Sequence, residues 1–134
     1  MNILFIDDNN FQTQTRMSLL SDMHNHTCEL ASTLADVHIL FKKDKYKMVI
    51  MDYAIENGMN CLEHILSVDD QQRMLMVSNA IAKSDLQGCE HCANTYRRRH
   101  LSNPTPIKNI LRMIEGFDNY SCDWYDPETS KTKR

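Results

Sequence analysis

The fold is decided by the segment Met1-Asn-Ile-Leu-Phe-Ile-Asp7-Asp8-Asn9-Asn10 of the 134-residue chain. Its apolar run has the length of a strand and almost no alternation of apolar with polar residues. Such a run is typical of a strand buried on both faces in a parallel sheet. The polar cluster that follows can cap a helix. Met17, Leu20 and Met23 then recur at three-residue spacing, which predicts that helix.

The same order of strand and helix recurs along the chain. Further strands are predicted at 27–31, 47–51, 71–78 and 99–102, helical patterns at 34–41, 61–67 and 106–117, and a polar helix or loop at 83–98. Regular alternation of this kind indicates an α/β domain with a central parallel sheet and right-handed crossovers. We expect one domain at 1–117, followed by a short, polar, mobile tail at 118–134.

Composition excludes several classes of protein. Hydrophobic residues make up 42% of the chain and charged residues 25%, as in ordinary soluble domains. No apolar run approaches the roughly 20 residues of a membrane span, and no basic residue precedes the first run as in a signal peptide. A net charge of −3 argues against nucleic-acid binding. Five cysteines without an export signal predict reduced thiols in the cytoplasm.

Acidic and polar residues follow the predicted strands at the points where they end. Asp7 and Asp8 follow the first strand, Asp52 the third, Ser78 ends the fourth, and Asn103 follows the fifth. Ligands of open parallel sheets bind beyond these carboxyl ends. Clustered carboxylates repel one another unless a cation lies between them, and hard oxygen ligands suit Mg²⁺. A carboxylate beside such an ion can attack phosphorus and form an acyl phosphate.

With these motifs the sequence resembles the receiver domain of two-component response regulators, over residues 2 to about 117. The resemblance rests on the following segments: Ile-Leu-Phe-Ile-Asp7-Asp8-Asn9, Met48-Val-Ile-Met-Asp52, Gly58-Met59-Asn60-Cys61-Leu62-Glu63, Met76-Val77-Ser78-Asn79 and Asn103-Pro104. It implies a doubly wound, flavodoxin-like sheet of five parallel strands in the order 2-1-3-4-5, with helices on both faces.

The resemblance also implies a role for individual residues. Asp52 matches the phosphoacceptor, and Asp7 and Asp8 match the acidic pair that holds Mg²⁺. Ala54 matches the position whose backbone carbonyl binds the metal. Ser78 matches the switch hydroxyl that turns toward the phosphoryl group.

Three features depart from the family pattern. Asn103 stands where the family has a lysine, and it offers a neutral amide in place of a charge-assisted bond. The proline that usually follows the phosphoacceptor is missing from residues 53–58. The segment between Ser78 and Asn103 is a few residues longer than usual, and His100 falls near the aromatic switch position. Asn103 favours an alternative, a pseudo-receiver that binds its partner without phosphorylation.

The resemblance implies a signalling protein and not an enzyme with an external substrate. We expect a stand-alone, cytoplasmic receiver that takes a phosphoryl group from a histidine kinase or a phosphotransfer protein. Its output is expected to be a protein partner bound through the region 80–104, with no membrane and no direct nucleic-acid contact. No phosphate-binding glycine loop is present among the three glycines.

Other segments leave alternatives open. Cys89-Glu90-His91-Cys92 suits a zinc site, a redox pair or ordinary helix cysteines. The basic run at 97–100 suits a solvated face or a docking patch for an acidic partner. Tyr120, Trp124 and Tyr125 of the tail suit either packing onto the domain or a hook for a partner.

Overall fold

The computed structural model describes residues 1–78, 97–102, 105–117, 125–126 and 131–132. The elements, in chain order, are β1 (Asn2–Ile6), α1 (Phe11–His24), β2 (Thr27–Ala31), α2 (Leu34–Leu40), β3 (Met48–Asp52), α3 (Gly58–Val68), β4 (Met74–Ser78), β5 (Arg98–Ser102), α4 (Ile107–Glu115), β6 (Tyr125–Asp126) and β7 (Lys131–Thr132).

The first five strands form one parallel sheet in the order β2-β1-β3-β4-β5, which confirms the predicted topology. β1 lies between β2 and β3, with Ile6 opposite Ala31 of β2 and Met51 of β3. The carboxyl ends of β1 and β3 are therefore adjacent at one edge of the sheet. Asp52, the last residue of β3, lies opposite Val77 of β4.

Alternate residues of the central strands face opposite sides of the sheet. Leu4 and Ile6 pack with Val37 of α2 and Ile65 of α3 in one core. Ile3 and Phe5 pack in a second core, whose helical residues include Leu20 of α1 and Ile110 of α4. This explains why the strand at 2–6 is apolar at consecutive positions: helices cover both faces, so neither face can carry a polar side chain cheaply.

β5 forms despite its polar sequence, and part of the basic run is buried. Arg99 and His100 expose only 2% and 8% of their surface. The guanidinium of Arg99 donates to the Phe117 carbonyl at 3.0 Å and lies 4.6 Å from the centre of the Phe117 ring. Both readings of the run at 97–100 placed it at the surface, which is wrong for Arg99 and His100. The Phe117 carbonyl, which follows α4, accounts for the difference because it accepts a hydrogen bond from the buried charge of Arg99.

Two further expectations differ from the structure. The segment 83–98, predicted as a polar helix or loop, lies largely outside the described residues, and its last residue, Arg98, begins β5. No strand was predicted in the tail, yet Tyr125 and Asp126 pair with Thr132 and Lys131 in a short antiparallel ladder. No helix in the described part of the chain is long and apolar enough to cross a membrane.

Candidate functional site

Two carboxylates meet at the carboxyl edge of the sheet. Asp7 follows β1 and Asp52 ends β3, and both side chains are partly buried, whereas Asp8 is exposed. Burial raises the pKa of Asp7 above its ordinary value, and the negative charge of Asp52 raises it further. The two carboxylates are thus close enough to repel each other, as the positions of their strands predict.

Hydrogen bonds orient the Asp7 carboxylate. The backbone amide of Asp8 donates to Asp7 Oδ1 at 2.7 Å. This bond, a hydrogen bond with the Thr13 side chain and the charge of Arg16 all lower the pKa of Asp7, but burial outweighs them. The first turn of α1 supports this arrangement, because Asn10 Oδ1 accepts from the Thr13 amide at 2.9 Å and caps the helix.

The loop after β3 holds Asp52 in place. Asp52 Oδ1 accepts from the Ala54 amide at 2.9 Å, an Asx turn that fixes one carboxylate oxygen. The backbone amide of Tyr53 donates to the Val77 carbonyl at 3.0 Å, so pairing with β4 continues past Asp52. A Cβ on Gly58 would collide with the backbone carbonyl of Tyr53, which shows how closely α3 approaches this loop.

A contact that the sequence did not predict ties α1 to the segment after β5. Arg16 Nη2 donates to the Thr105 carbonyl at 2.9 Å and to Thr105 Oγ1 at 2.8 Å. Thr105 is buried, and the two residues are 89 positions apart. The sequence around Arg16 or Thr105 does not indicate this pair, because each looks like an ordinary polar residue of its segment.

The carboxylate oxygens at this edge fit Mg²⁺, which needs few protein ligands, better than a structural metal ion that needs a full set of protein ligands. No three His, Cys, Asp or Glu side chains in the described ranges are arranged to hold a metal ion. Mg²⁺ usually takes only one or two carboxylates and completes its shell with water. Two repelling carboxylates, Asp7 and Asp52, supply that number, and a cation between them would relieve the repulsion recorded in the Asp7 pKa.

The remaining predicted site residues are only partly placed. The backbone of Ser78 ends β4 opposite Ser102, one position beyond the level of Asp52, but its side chain lies outside the described residues. Asn103, Cys89 and Cys92 also lie outside them, as do 80–96 of the predicted partner surface and 118–124 of the tail. His100 lies in β5, opposite Met76.

Two comparisons with known sequences find no match for this chain. No protein-family model matches it. No curated protein matches it either.

Solved structures, in contrast, match over most of its length. The non-phosphorylated HemR receiver domain from Leptospira biflexa superposes with a TM-score of 0.71 at 19% identity, covering 92% of this chain and 98% of that one. A CheY-like receiver domain protein from Methanospirillum hungatei gives 0.67 at 14% identity, covering 88% and 93%. The response regulator TrrA from Thermotoga maritima, in complex with Mg²⁺ and BeF, gives 0.62 at 14% identity, covering 85% and 96%. The chain has the fold of response regulator receiver domains.

Proposed function

We propose that this protein is a receiver of two-component signalling in which Asp52 accepts a phosphoryl group in a Mg²⁺-dependent reaction. The observation that carries the proposal is the meeting of the Asp7 and Asp52 carboxylates beyond adjacent parallel strands, with Asp52 held by the Ala54 amide. The receiver fold of the solved structures supports this role.

The chemistry requires an accessible nucleophile on a fixed backbone. One oxygen of Asp52 attacks the phosphorus of a phosphohistidine on a histidine kinase or phosphotransfer protein. The P–N bond breaks, its electron pair returns to the donor imidazole, and an acyl phosphate remains on Asp52. Because Oδ1 accepts from the Ala54 amide, we propose that Oδ2 is the attacking atom.

Asp52 and the pair Asp7 and Asp8 would hold the metal, with the Ala54 carbonyl as a further ligand. Mg²⁺ supplies positive charge that offsets the charge spread over the phosphoryl oxygens. The solved structure of TrrA contains Mg²⁺ with BeF, and we extend that pairing of metal and fold to this chain as part of the proposal.

The output would arise from the added negative charge. Phosphorylation replaces one charge on Asp52 by about two. We propose that Ser78 turns toward this charge and that Asn103 contacts it through its amide, changing the affinity of the region 80–104 for a downstream protein. Ser78 and Ser102 are opposite each other in the sheet, so we propose that a change at the end of β4 would act on β5.

The alternative is a pseudo-receiver that binds its partner without phosphorylation. Asn103 favours it, because a neutral amide stabilises a phosphoryl group less than a lysine would. The two functions share a fold and differ only in whether Asp52 reacts.

Intact-mass measurement after incubation with Mg²⁺ and acetyl phosphate distinguishes the two functions. We expect a gain of one phosphoryl group in the wild type and in Asp22→Asn, which removes an exposed carboxylate of α1, and no gain in Asp52→Asn. Asn103→Lys should gain it faster, because lysine adds a charge-assisted contact. A wild type that stays unmodified and binds no Mg²⁺ would establish the pseudo-receiver, and a gain retained by Asp52→Asn would place the acceptor elsewhere.

A further inference from the structure

One arginine of α1 holds the segment from which α4 begins. Arg16 Nη2 donates to the Thr105 carbonyl at 2.9 Å and to Thr105 Oγ1 at 2.8 Å. Thr105 is buried and directly precedes Pro106, the N-cap residue of α4. Two bonds from a charged group to one residue restrict the orientation of the guanidinium more than one bond would. The contact therefore fixes the start of α4 relative to α1, and both helices cover the same core.

The same side of α1 also reaches the acidic edge of the sheet. Thr13 precedes Arg16 by three residues, so the two side chains are neighbours on one side of the helix. Thr13 is buried, and its amide donates to Asn10 Oδ1 at 2.9 Å. Burial raises the pKa of Asp7, and a hydrogen bond with the Thr13 side chain and the charge of Arg16 oppose that shift. One turn of α1 therefore joins the Asp7 carboxylate to the segment that begins α4.

We propose that Arg16 is a positioning residue of the phosphoryl-transfer site, which sets the rate of phosphoryl gain at Asp52 by fixing the first turns of α1 against the start of α4. This role rests on the proposed function of Asp52. In it, Arg16 acts through the turn of α1 that holds Asp7, whose strand lies beside the strand that ends in Asp52. A displacement of about 1 Å at such a site lowers a rate by up to about a hundredfold, because the reacting groups no longer meet in the reactive geometry.

Two variants of Thr105 distinguish positioning from packing. Thr105→Ser keeps both oxygens that accept from Arg16 and removes only a methyl group. Thr105→Val keeps the size of the side chain and removes Oγ1, and with it the bond of 2.8 Å. Positioning predicts that serine preserves the rate and that valine lowers it. Packing alone predicts that valine is harmless and that serine is the more harmful change, because the buried methyl group is then what matters.

Variants of Arg16 separate the contact from the charge. Arg16→Lys keeps the positive charge but replaces the planar guanidinium by a compact ammonium, which does not reproduce this pair of bonds. Arg16→Met removes both the charge and the bonds. We expect both variants to gain the phosphoryl group at least about fivefold more slowly than the wild type. Arg112→Met, which removes an exposed arginine of α4, should stay within about twofold.

The time course of phosphoryl gain, followed by intact mass in Mg²⁺ and acetyl phosphate, tests the role. Urea unfolding of each variant identifies conditions in which it is fully folded, so that a loss of stability is not counted as a loss of rate. We expect the double variant Arg16→Met, Thr105→Val to be no slower than Arg16→Met, because both changes remove the same contact. If Arg16→Met does not fold, the order of the rates of Thr105→Ser and Thr105→Val decides.

The outcomes separate this role from the proposed function. A wild type that gains the phosphoryl group no faster than folded Arg16→Met would overturn the role of Arg16 and leave the function of Asp52 intact. Equal rates in Thr105→Ser and Thr105→Val, or a normal rate in Arg16→Lys, would overturn the role in the same way. A wild type that gains nothing would overturn the proposed function itself, and the role of Arg16 with it.

Discussion

Gly58→Ala tests how closely α3 must approach the loop that carries Asp52. Gly58 is the first residue of α3 and is buried. A Cβ there would collide with the carbonyl oxygen of Tyr53, lie 3.1 Å from its carbonyl carbon and lie 3.6 Å from Met51 Cε. The colliding atoms belong to the backbone, so rotation of a side chain cannot relieve the contact.

The magnitude follows from two opposing effects. Overpacking of this kind costs typically about 1–3 kcal/mol, and a rigid backbone neighbour favours the upper part of that range. Alanine in place of glycine stabilises a helix by up to about 1 kcal/mol. We therefore expect Gly58→Ala to lower the free energy of unfolding by about 1–2 kcal/mol, or Tm by roughly 4–8 °C for a domain of this size.

Gly116→Ala is a matched control. Its Cβ would meet only the Arg112 carbonyl, at 3.2 Å, at the C-terminal cap of α4, where a shift of a few tenths of an ångström relieves the contact. We expect a change within about 0.5 kcal/mol, measured by thermal and urea unfolding. Gly58→Ala should also slow phosphoryl gain at Asp52, because a displaced Tyr53 moves the Ala54 amide. Equal stability of Gly58→Ala and the wild type would refute the close approach of α3.

Two further variants probe buried charges. Folding raises the pKa of Asp7, so the folded chain loses stability as pH rises from about 4 through the folded pKa. In urea unfolding Asp7→Asn should therefore be more stable than the wild type by about 1 kcal/mol at pH 7, with no such advantage at pH 3. An equal or lower stability of the variant at pH 7 would contradict this. Arg99→Met removes the donor to the Phe117 carbonyl and should lower the free energy of unfolding by about 2–3 kcal/mol. The control Arg112→Met, at an exposed position of α4, should lower it by under about 0.5 kcal/mol. Similar losses in both variants would show that the contact contributes nothing.

Most elements could be predicted from the sequence because the central strands are apolar at consecutive positions, whereas the sheet order followed from the resemblance to receiver domains. β1 and β3 were predicted to within a residue of their bounds, since strands covered on both faces leave a pattern that few other structures share. β5 left a weaker pattern. Its arginine at position 99 is stabilised by Phe117, a partner 18 residues away, and no local window contains that contact.

The candidate site was predictable in position but not in detail. The topology rule for parallel sheets brings residues that end adjacent strands together, and Asp7 and Asp52 meet in this way. The bond from Arg16 to Thr105 and the meeting of His38 with His64 depend on how helices pack against the sheet and each other. Spacing along the chain carries no information about such pairs.

The two outer strands of the five-stranded sheet have a bearing on solubility at high concentration. Within the described sheet β2 pairs with β1 and β5 pairs with β4, so each has an outer row of backbone groups, and outer rows of this kind can pair with another chain. Glu29 on β2 and Arg98 on β5 place charges along these rows, and like charges on a second copy would oppose such stacking. The charge of Arg98, which made β5 hard to recognise as a strand, is thus also expected to oppose edge-to-edge pairing of two copies.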